Sequence, residues 1–567
     1  MLELLNGGLL FVALIGGLGL PLTAGLPLEA GERMTLSGVA GCLVIYLAAW
    51  VVYWCDLPPL AFAALPVTAA LALLLRWHAV RSLLQLPEAR RLAGCWLILA
   101  GWCLGWLALV RSYSGGEWVG DWIEHYDRAR FFLEHQPLNT QFLHRYPLPA
   151  RPPLANLMTG AFMALTNTSF AQFQIFTTLL ATLAFFPAAL LARYFRGPAG
   201  GDPVAPLAVL LMLNPLFVEN ATFSWTKLPA TFFTLAGLYF FVRYDAARGN
   251  RGRLLWAATC LAAAVLTHYS AAPYVLVLGV AWLAGRWPTW HRPEFWRELL
   301  PPVALALALL GSWLVWSAWH YGPAGTFFSN STVTGGEGQS VLRQFADRGL
   351  NFFSTLVPHP LRPGVSYEFI NQASQLSWWR DYFFNIYQTN LPLAFGSGGV
   401  VALSALAWRH RRGINPFWLW FALGSALLSI AVVSMPAPDR WGLVHVGLQP
   451  LVILGLAWLA AALPHLSRRL RAWLVAGLAV DLSLGIVLHF LVQHLEFPSD
   501  LFATHHDQAL LALHGYAAWN NFLAKTILHL TFVGDRGLSA PALVVVLAGL
   551  LMTALSLARR QDHGQPN

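Results

Sequence analysis

Gly120-Asp121-Trp122-Ile123-Glu124-His125-Tyr126-Asp127-Arg128 lies between an apolar run at 92–110 and Arg151-Pro152-Pro153-Leu154. Acids, a histidine and an arginine crowd together there, in a chain with little charge to place anywhere. Of its 567 residues only 11% are charged and 57% are hydrophobic, against about 25% charged in a soluble domain. Lipid is therefore the bulk solvent, and a polar stretch between apolar runs reads as the first large loop of a membrane protein. Apolar runs of about 20 residues recur along the chain, each long enough to cross a bilayer as a helix. They lack the alternation of a strand barrel, so their backbone groups must be satisfied within helices. The expected fold class is all-α, a polytopic membrane protein of about 15 transmembrane helices with interfacial helices in its outer loops.

The net charge of +9 resides mostly in arginine clusters at span ends and is no nucleic-acid signal. Arg76, Arg81, Arg90 and Arg91, then Arg193 and Arg196, Arg243 to Arg253, Arg286 to Arg297, Arg409 to Arg412, Arg468 to Arg471, and Arg559 with Arg560 fall in alternate connections. The positive-inside rule makes all of these cytoplasmic. The pattern closes only if 152–167, about 16 residues opened by two prolines, does not fully cross. The chain then reads as one integral membrane domain, 1–567. Its first outer catalytic loop is 111–169, its second outer loop 321–390 and its third 493–539. In the second, Gly335-Gly336-Glu337-Gly338 reads as a flexible tip and Ser377 to Phe384 as a helix in the headgroup layer. The five cysteines fall within apolar spans or at their ends, with no Cys-x-x-Cys pair, which excludes a disulfide framework and a thiolate zinc site. The N-terminus lacks a basic region, so the first span is expected to be retained.

A helix from Glu117 to His135 would put Asp121 and Glu124 on one face and let Glu124 pair with Arg128 four residues on. Trp118, Trp122 and Tyr126 would form a neighbouring stripe, and the helix would rest on the membrane surface with its acids near water. On composition alone this is an ordinary amphipathic helix. Arg151-Pro152-Pro153 opens the next helix; its arginine either anchors that helix or faces a phosphate.

This order of an apolar span, a loop with Asp and Glu on a short helix, Tyr146-Pro147 and Arg151-Pro152-Pro153-Leu154 resembles the GT-C superfamily of membrane glycosyltransferases. The branch with protein O-mannosyltransferases and lipid A aminoarabinose transferases is the nearest. Asn214-Pro215-Leu216-Phe217 and Ser224-Trp225-Thr226-Lys227-Leu228-Pro229 are similar to that branch's next stretch. Two departures stand out. Three spans precede the usual first one, and two residues separate Asp121 from Glu124 where the family often has an adjacent pair. The resemblance implies transfer of a sugar from a polyprenyl-phosphate or pyrophosphate donor to an acceptor hydroxyl on the outer face of a bacterial inner membrane. It implies Asp121 as the base, with Glu124 orienting the acceptor or exchanging roles with it. Lys227, Arg440, Arg151, His268 and Tyr269 are the expected donor phosphate contacts, and His125, Trp122 and Tyr146 the acceptor or sugar contacts. Partners would be the polyprenyl-linked donor, a glycan, lipid or protein acceptor, and membrane lipids. His125, His494, His505 and His506 leave a divalent metal open, but no ligand spacing assigns one.

Two other readings compete. Asp481, an acid within a span, together with broken helices would suit a secondary transporter or lipid-linked glycan flippase. A large late loop rich in basic residues would suit an O-antigen-ligase or polymerase-like enzyme.

Overall fold

A computed structural model describes residues 2–109, 119–143, 146–197, 201–244, 251–330, 338–362, 375–413, 415–434, 441–488 and 540–560. Among these residues helices carry the whole architecture, and an isolated antiparallel bridge joins Phe142 to Tyr146. Arg440, the 335–337 part of the glycine-rich tip, His494, His505, His506 and all of 493–539 lie outside the described residues.

Among the described residues eight helices are long and apolar enough to cross a membrane, or up to ten if each of two bent pairs is one span. This is the polytopic all-helical body expected. The lower span count has a local cause, since several apolar runs are cut short by proline, glycine or asparagine. One run breaks at Asn214-Pro215, where Val204–Leu213 and Pro215–Thr222 meet at 73°. Asn214 Oδ1 accepts from Phe217 N–H at 2.9 Å and so caps the second piece, with Pro215 in its first turn. Asn214 Nδ2 donates to the Ala394 carbonyl at 2.9 Å, tying the break to a neighbouring element.

The first two helices, Leu2–Thr23 and Ala30–Trp54, cross closely. A Cβ on Gly19 would stand 1.8 Å from the Ser37 carbonyl oxygen, and one on Gly41 2.3 Å from that of Ile15. Small residues at these points let the two backbones touch. Leu154–Leu165 has only 12 residues, about 18 Å of helix, too short for a hydrocarbon core of about 30 Å. It is the segment the charge pattern required not to cross.

The arginine clusters meet one another. Arg91 and Arg193 both bond Asp202, at 3.0 and 2.8 Å, and Arg193 also pairs with Glu88. Arg253 pairs with Glu32 at 2.9 Å, and Arg243 with Glu29. Arg196 bonds the Ala461 carbonyl at 3.0 Å, and Arg409 bonds that of His465 at 3.3 Å. Other loops join one another. Tyr321 Oη donates to Leu138 O at 2.8 Å, Tyr269 Oη to Pro149 O at 3.3 Å, and Leu443 N–H to Thr355 Oγ1 at 3.0 Å. Parts of the loops 111–169 and 321–390 therefore touch one another.

The second of those loops holds Val341–Leu356 and Gln375–Thr389. Ser377 to Phe384 falls within the latter; Trp379 is 47% exposed, and the side chains at 377, 378, 380 and 381 lie outside the described residues. Further along this helix Phe383, Phe384, Asn385, Tyr387 and Gln388 are buried in the body. The reason is polar: Gln388 Nε2 donates to Glu219 Oε2, and Asn220 Nδ2 to Gln388 Oε1, both at 2.8 Å. Bonds of that kind draw the helix inward.

Candidate functional site

The central element is the helix Val119–Glu134, close to the span expected. It does not rest on the surface with its acids near water. Glu124, His125 and Arg128 are all buried, because residues 142–150 and Leu154–Leu165 fold back over that face. Ala129 stands so close to Gly160 that a Cβ there would lie 3.0 Å from its carbonyl oxygen.

Arg128 organises this region. Its Nε and Nη2 donate to Glu124 Oε1 at 2.9 and 2.7 Å, the pair that the four-residue spacing predicted. Its Nη1 donates to the Leu148 carbonyl at 2.7 Å, and Nη2 also reaches that of Pro147 at 3.2 Å. The guanidinium lies 4.2 Å from the centre of the Phe142 ring. One side chain thus touches Phe142, Pro147 and Leu148 at once.

Arg151 Nη2 stands 3.5 Å from Glu124 Oε2, with its guanidinium 5.2 Å from the Tyr146 ring centre. Burial alone would push the Glu124 carboxyl up. Arg151 and Arg128 outweigh that and hold it down at about 2. Burial pushes His125 down to about 4, so at neutral pH its ring is uncharged. Its Nδ1 lies 3.2 Å from Asn156 Oδ1. Asn156 Nδ2 donates to the Pro152 carbonyl at 3.4 Å, leaving Oδ1 as the acceptor for a protonated Nδ1. Asp127, further round the helix, goes the other way: burial raises it to about 7.

Lys227 opens the helix Lys227–Val242 and is buried there rather than reaching out to water. Its Nζ lies 3.8 Å from the centre of the Trp225 ring. Ser224, at φ 62°, makes the sharp left-handed turn that folds Trp225 back against the helix start. The Trp225 ring is stacked 6.4 Å from that of His445. His268 follows the end of Arg251–Thr267, and its Nδ1 accepts from Ser270 N–H at 3.1 Å. Lys227, Arg151 and His125 all act electrostatically on His268, and Lys227 acts on His445. The phenol of Tyr269 is held from both sides, donating to Pro149 O and accepting from Trp313 Nε1 at 2.9 Å.

Glu124, His125, Tyr146, Arg151, Lys227, His268 and Tyr269 thus belong to one connected region. Asp121 occupies the same helix one turn before Glu124, but its side chain and that of Trp122 lie outside the described residues, as does all of Arg440. Asp481 is not part of this region. It is buried and accepts from Tyr387 Oη at 2.8 Å and from Ser397 N–H and Oγ at 2.8 and 2.7 Å. With Glu219 and Asn214 it lines a cavity beside the helix break; a second cavity runs from Pro59 to Asn167. Neither is lined by Lys227. No group of three or more metal-ligating side chains occurs among the described residues. Asn156, Trp313 and the Glu219–Gln388–Asn220 network escaped the sequence reading. Asn156, four residues after Pro152 on a helix that cannot cross, carried the clearest signal of the three.

These features define a polytopic helical membrane protein with a buried cluster of one carboxylate and several cationic or imidazole groups. No family model matches the sequence, and no curated protein does. Two crystal structures to which the chain is similar are those of ArnT from Cupriavidus metallidurans, one bound to undecaprenyl phosphate and one in the apo state. Each is 17% identical with a TM-score of 0.45, over 82% of this chain and 75% and 76% of theirs.

Proposed function

We propose that the chain is a glycosyltransferase of the GT-C kind, moving a sugar from a polyprenyl-phosphate or pyrophosphate donor to an acceptor hydroxyl. One observation carries the reading. Arg128 and Arg151 pair with the buried carboxylate of Glu124, and Arg151 also acts with Lys227 on His268, so that three cations gather in one region. A departing lipid phosphate needs such charge. The arginine clusters at alternate connections support, by the positive-inside rule, an extracytoplasmic position for this site, and the membrane proposed is a bacterial inner membrane.

Glu124 is committed to two guanidiniums and, at about 2, is a weak base. In this scheme it is a positioning residue, and Asp121, the base that the resemblance implies, takes the proton from the acceptor hydroxyl. Arg151 and Lys227 face the donor phosphate in this scheme, joined by His268, Arg440 and the already fixed Tyr269 hydroxyl. His125, Trp122 and Tyr146 border the sugar or acceptor. The test begins with mass spectrometry of the lipid-linked sugars that accumulate on deletion, which identifies the donor. Transfer from that donor by the purified protein should be lost in Asp121→Asn. Transfer retained by both Asp121→Asn and Glu124→Gln overturns the assignment.

The transporter reading draws on one observation, the cavity at the helix break with Glu219 and Asp481 on its wall. It predicts that Asp481→Asn abolishes function. The transferase reading predicts that Asp481→Asn still transfers sugar.

A further inference from the structure

Val341–Leu356 is amphipathic in the inverted sense. At 3.6 residues per turn, Leu342, Phe345, Phe353 and Leu356 fall within about 80° of its circumference. They are 81%, 72%, 53% and 41% exposed. The opposite face carries Asp347, Asn351, Ser354 and Thr355, and all four are buried. Water on the apolar face would make this arrangement costly, since each exposed Phe or Leu forgoes about 1.5–3 kcal/mol of burial.

What covers that face follows from three observations. First, the helix packs on Ser429–Val433, the last turn of the span Pro416–Val433, so it lies level with the end of a membrane helix. Second, that span is itself apolar on its exposed side, with Leu423, Leu427 and Val432 each about half exposed, so the two apolar surfaces adjoin. Third, the stripe is flanked by Arg343 on one edge and Arg348 on the other, about 100–120° from its centre. Arg343 is largely exposed while pairing with Asp347 at 3.1 Å. An apolar stripe edged by arginines at the mouth of a span fits the acyl–headgroup boundary of a leaflet, which offers hydrocarbon below and phosphates beside it.

We propose that Val341–Leu356 is an in-plane helix inserted in the leaflet beside the candidate site. Leu342, Phe345, Phe353 and Leu356 enter the acyl boundary, while Arg343 and Arg348 hold lipid phosphates at either edge. The buried face transmits that contact inward. Thr355 Oγ1 accepts from Leu443 N–H, and the Ser354 carbonyl accepts from Asn390 Nδ2 at 3.0 Å. Asn390 Nδ2 also reaches the Trp441 carbonyl at 3.2 Å. The lipid-seated helix therefore sets the turn at 441–443, just before His445. This inference stands independently of the transferase reading.

The test uses the full chain in phosphatidylethanolamine/phosphatidylglycerol vesicles. Nitroxide labels are placed by Phe345→Cys, Phe353→Cys or Arg343→Cys in a Cys55→Ser background, the other four cysteines being buried. Labels at 345 and 353 should be relaxed by oxygen in preference to water-soluble nickel chelate by about tenfold over the label at 343, at the depth of about 5–10 Å expected of an interfacial helix. Nickel accessibility at 345 and 353 equal to that at 343 overturns the proposal, as does shielding from both reagents, the mark of a protein partner. Unsubstituted protein in vesicles carrying an acyl-chain diazirine supplies the second arm. Adducts on Leu342, Phe345, Phe353 or Leu356 support the proposal. Labelling of Leu427 without any of these four refutes it.

Discussion

Replacing Glu124 by glutamine keeps the shape of the side chain and removes its charge. The carboxyl titrates at about 2 in the folded protein against an ordinary 4.5, a difference worth about 3 kcal/mol. A carboxyl depressed in the folded state stabilises fully above its unfolded value, and that stability is lost as pH falls toward the folded value. The Glu124→Gln protein should therefore be about 3 kcal/mol less stable than the parent at pH 7. The gap should hold down to about pH 4.5 and close between there and pH 2. Denaturant unfolding in detergent micelles at pH 7, 5 and 3 reads it directly. The Glu124 charge raises His125, so the comparison is made with His125→Asn in both proteins. A gap below about 1 kcal/mol at pH 7, or one that is unchanged at pH 3, would refute the view that Glu124 is held ionised by Arg128 and Arg151.

His125, at about 4 against 6.5, is held neutral by burial. The parent should lose about 3 kcal/mol as pH falls from 6.5 to 4, and His125→Asn should flatten that window in the same unfolding assay. Arg128→Lys cannot serve Glu124 and the carbonyls of Pro147 and Leu148 at once. It should cost about 3 kcal/mol and expose 142–148 to limited proteolysis. Gly442 adopts φ +107°, and a Cβ there would stand 2.3 Å from Thr389 O and 2.7 Å from Ser354 O. Gly442→Ala should lower stability by more than about 2 kcal/mol, measured by thermal unfolding. Lys227→Met should raise KM for the lipid-linked donor by at least about tenfold, and Lys227→Arg should restore part of it in steady-state kinetics.

Periodic features were legible in the sequence. The Glu124–Arg128 pair follows from a spacing of four, the short helix at Leu154 from two prolines and a run too brief to cross, and the start of the Lys227 helix from the end of a polar stretch. Spacing names the face of a helix but not what covers it, so the burial of Glu124 and Arg128 was out of reach. It depends on residues 147 and 148 returning some 20 positions later to receive the guanidinium. Gln388 meeting Glu219 across 169 positions is a longer instance of the same limit. Aromatic content alone does not tell headgroups from a packed interior, so the burial of Phe383 and Phe384 was not legible. Asn385 and Gln388, just beyond them, carried the inward-directing polarity.

The ionic contacts among the arginine clusters have a mechanical consequence. Glu32, Glu88 and Asp202 each receive guanidiniums from other elements, so that helix ends distant in the chain are stitched into a clasp. Relative motion of these helices is then left to the opposite mouth, with the stitched end acting as its pivot.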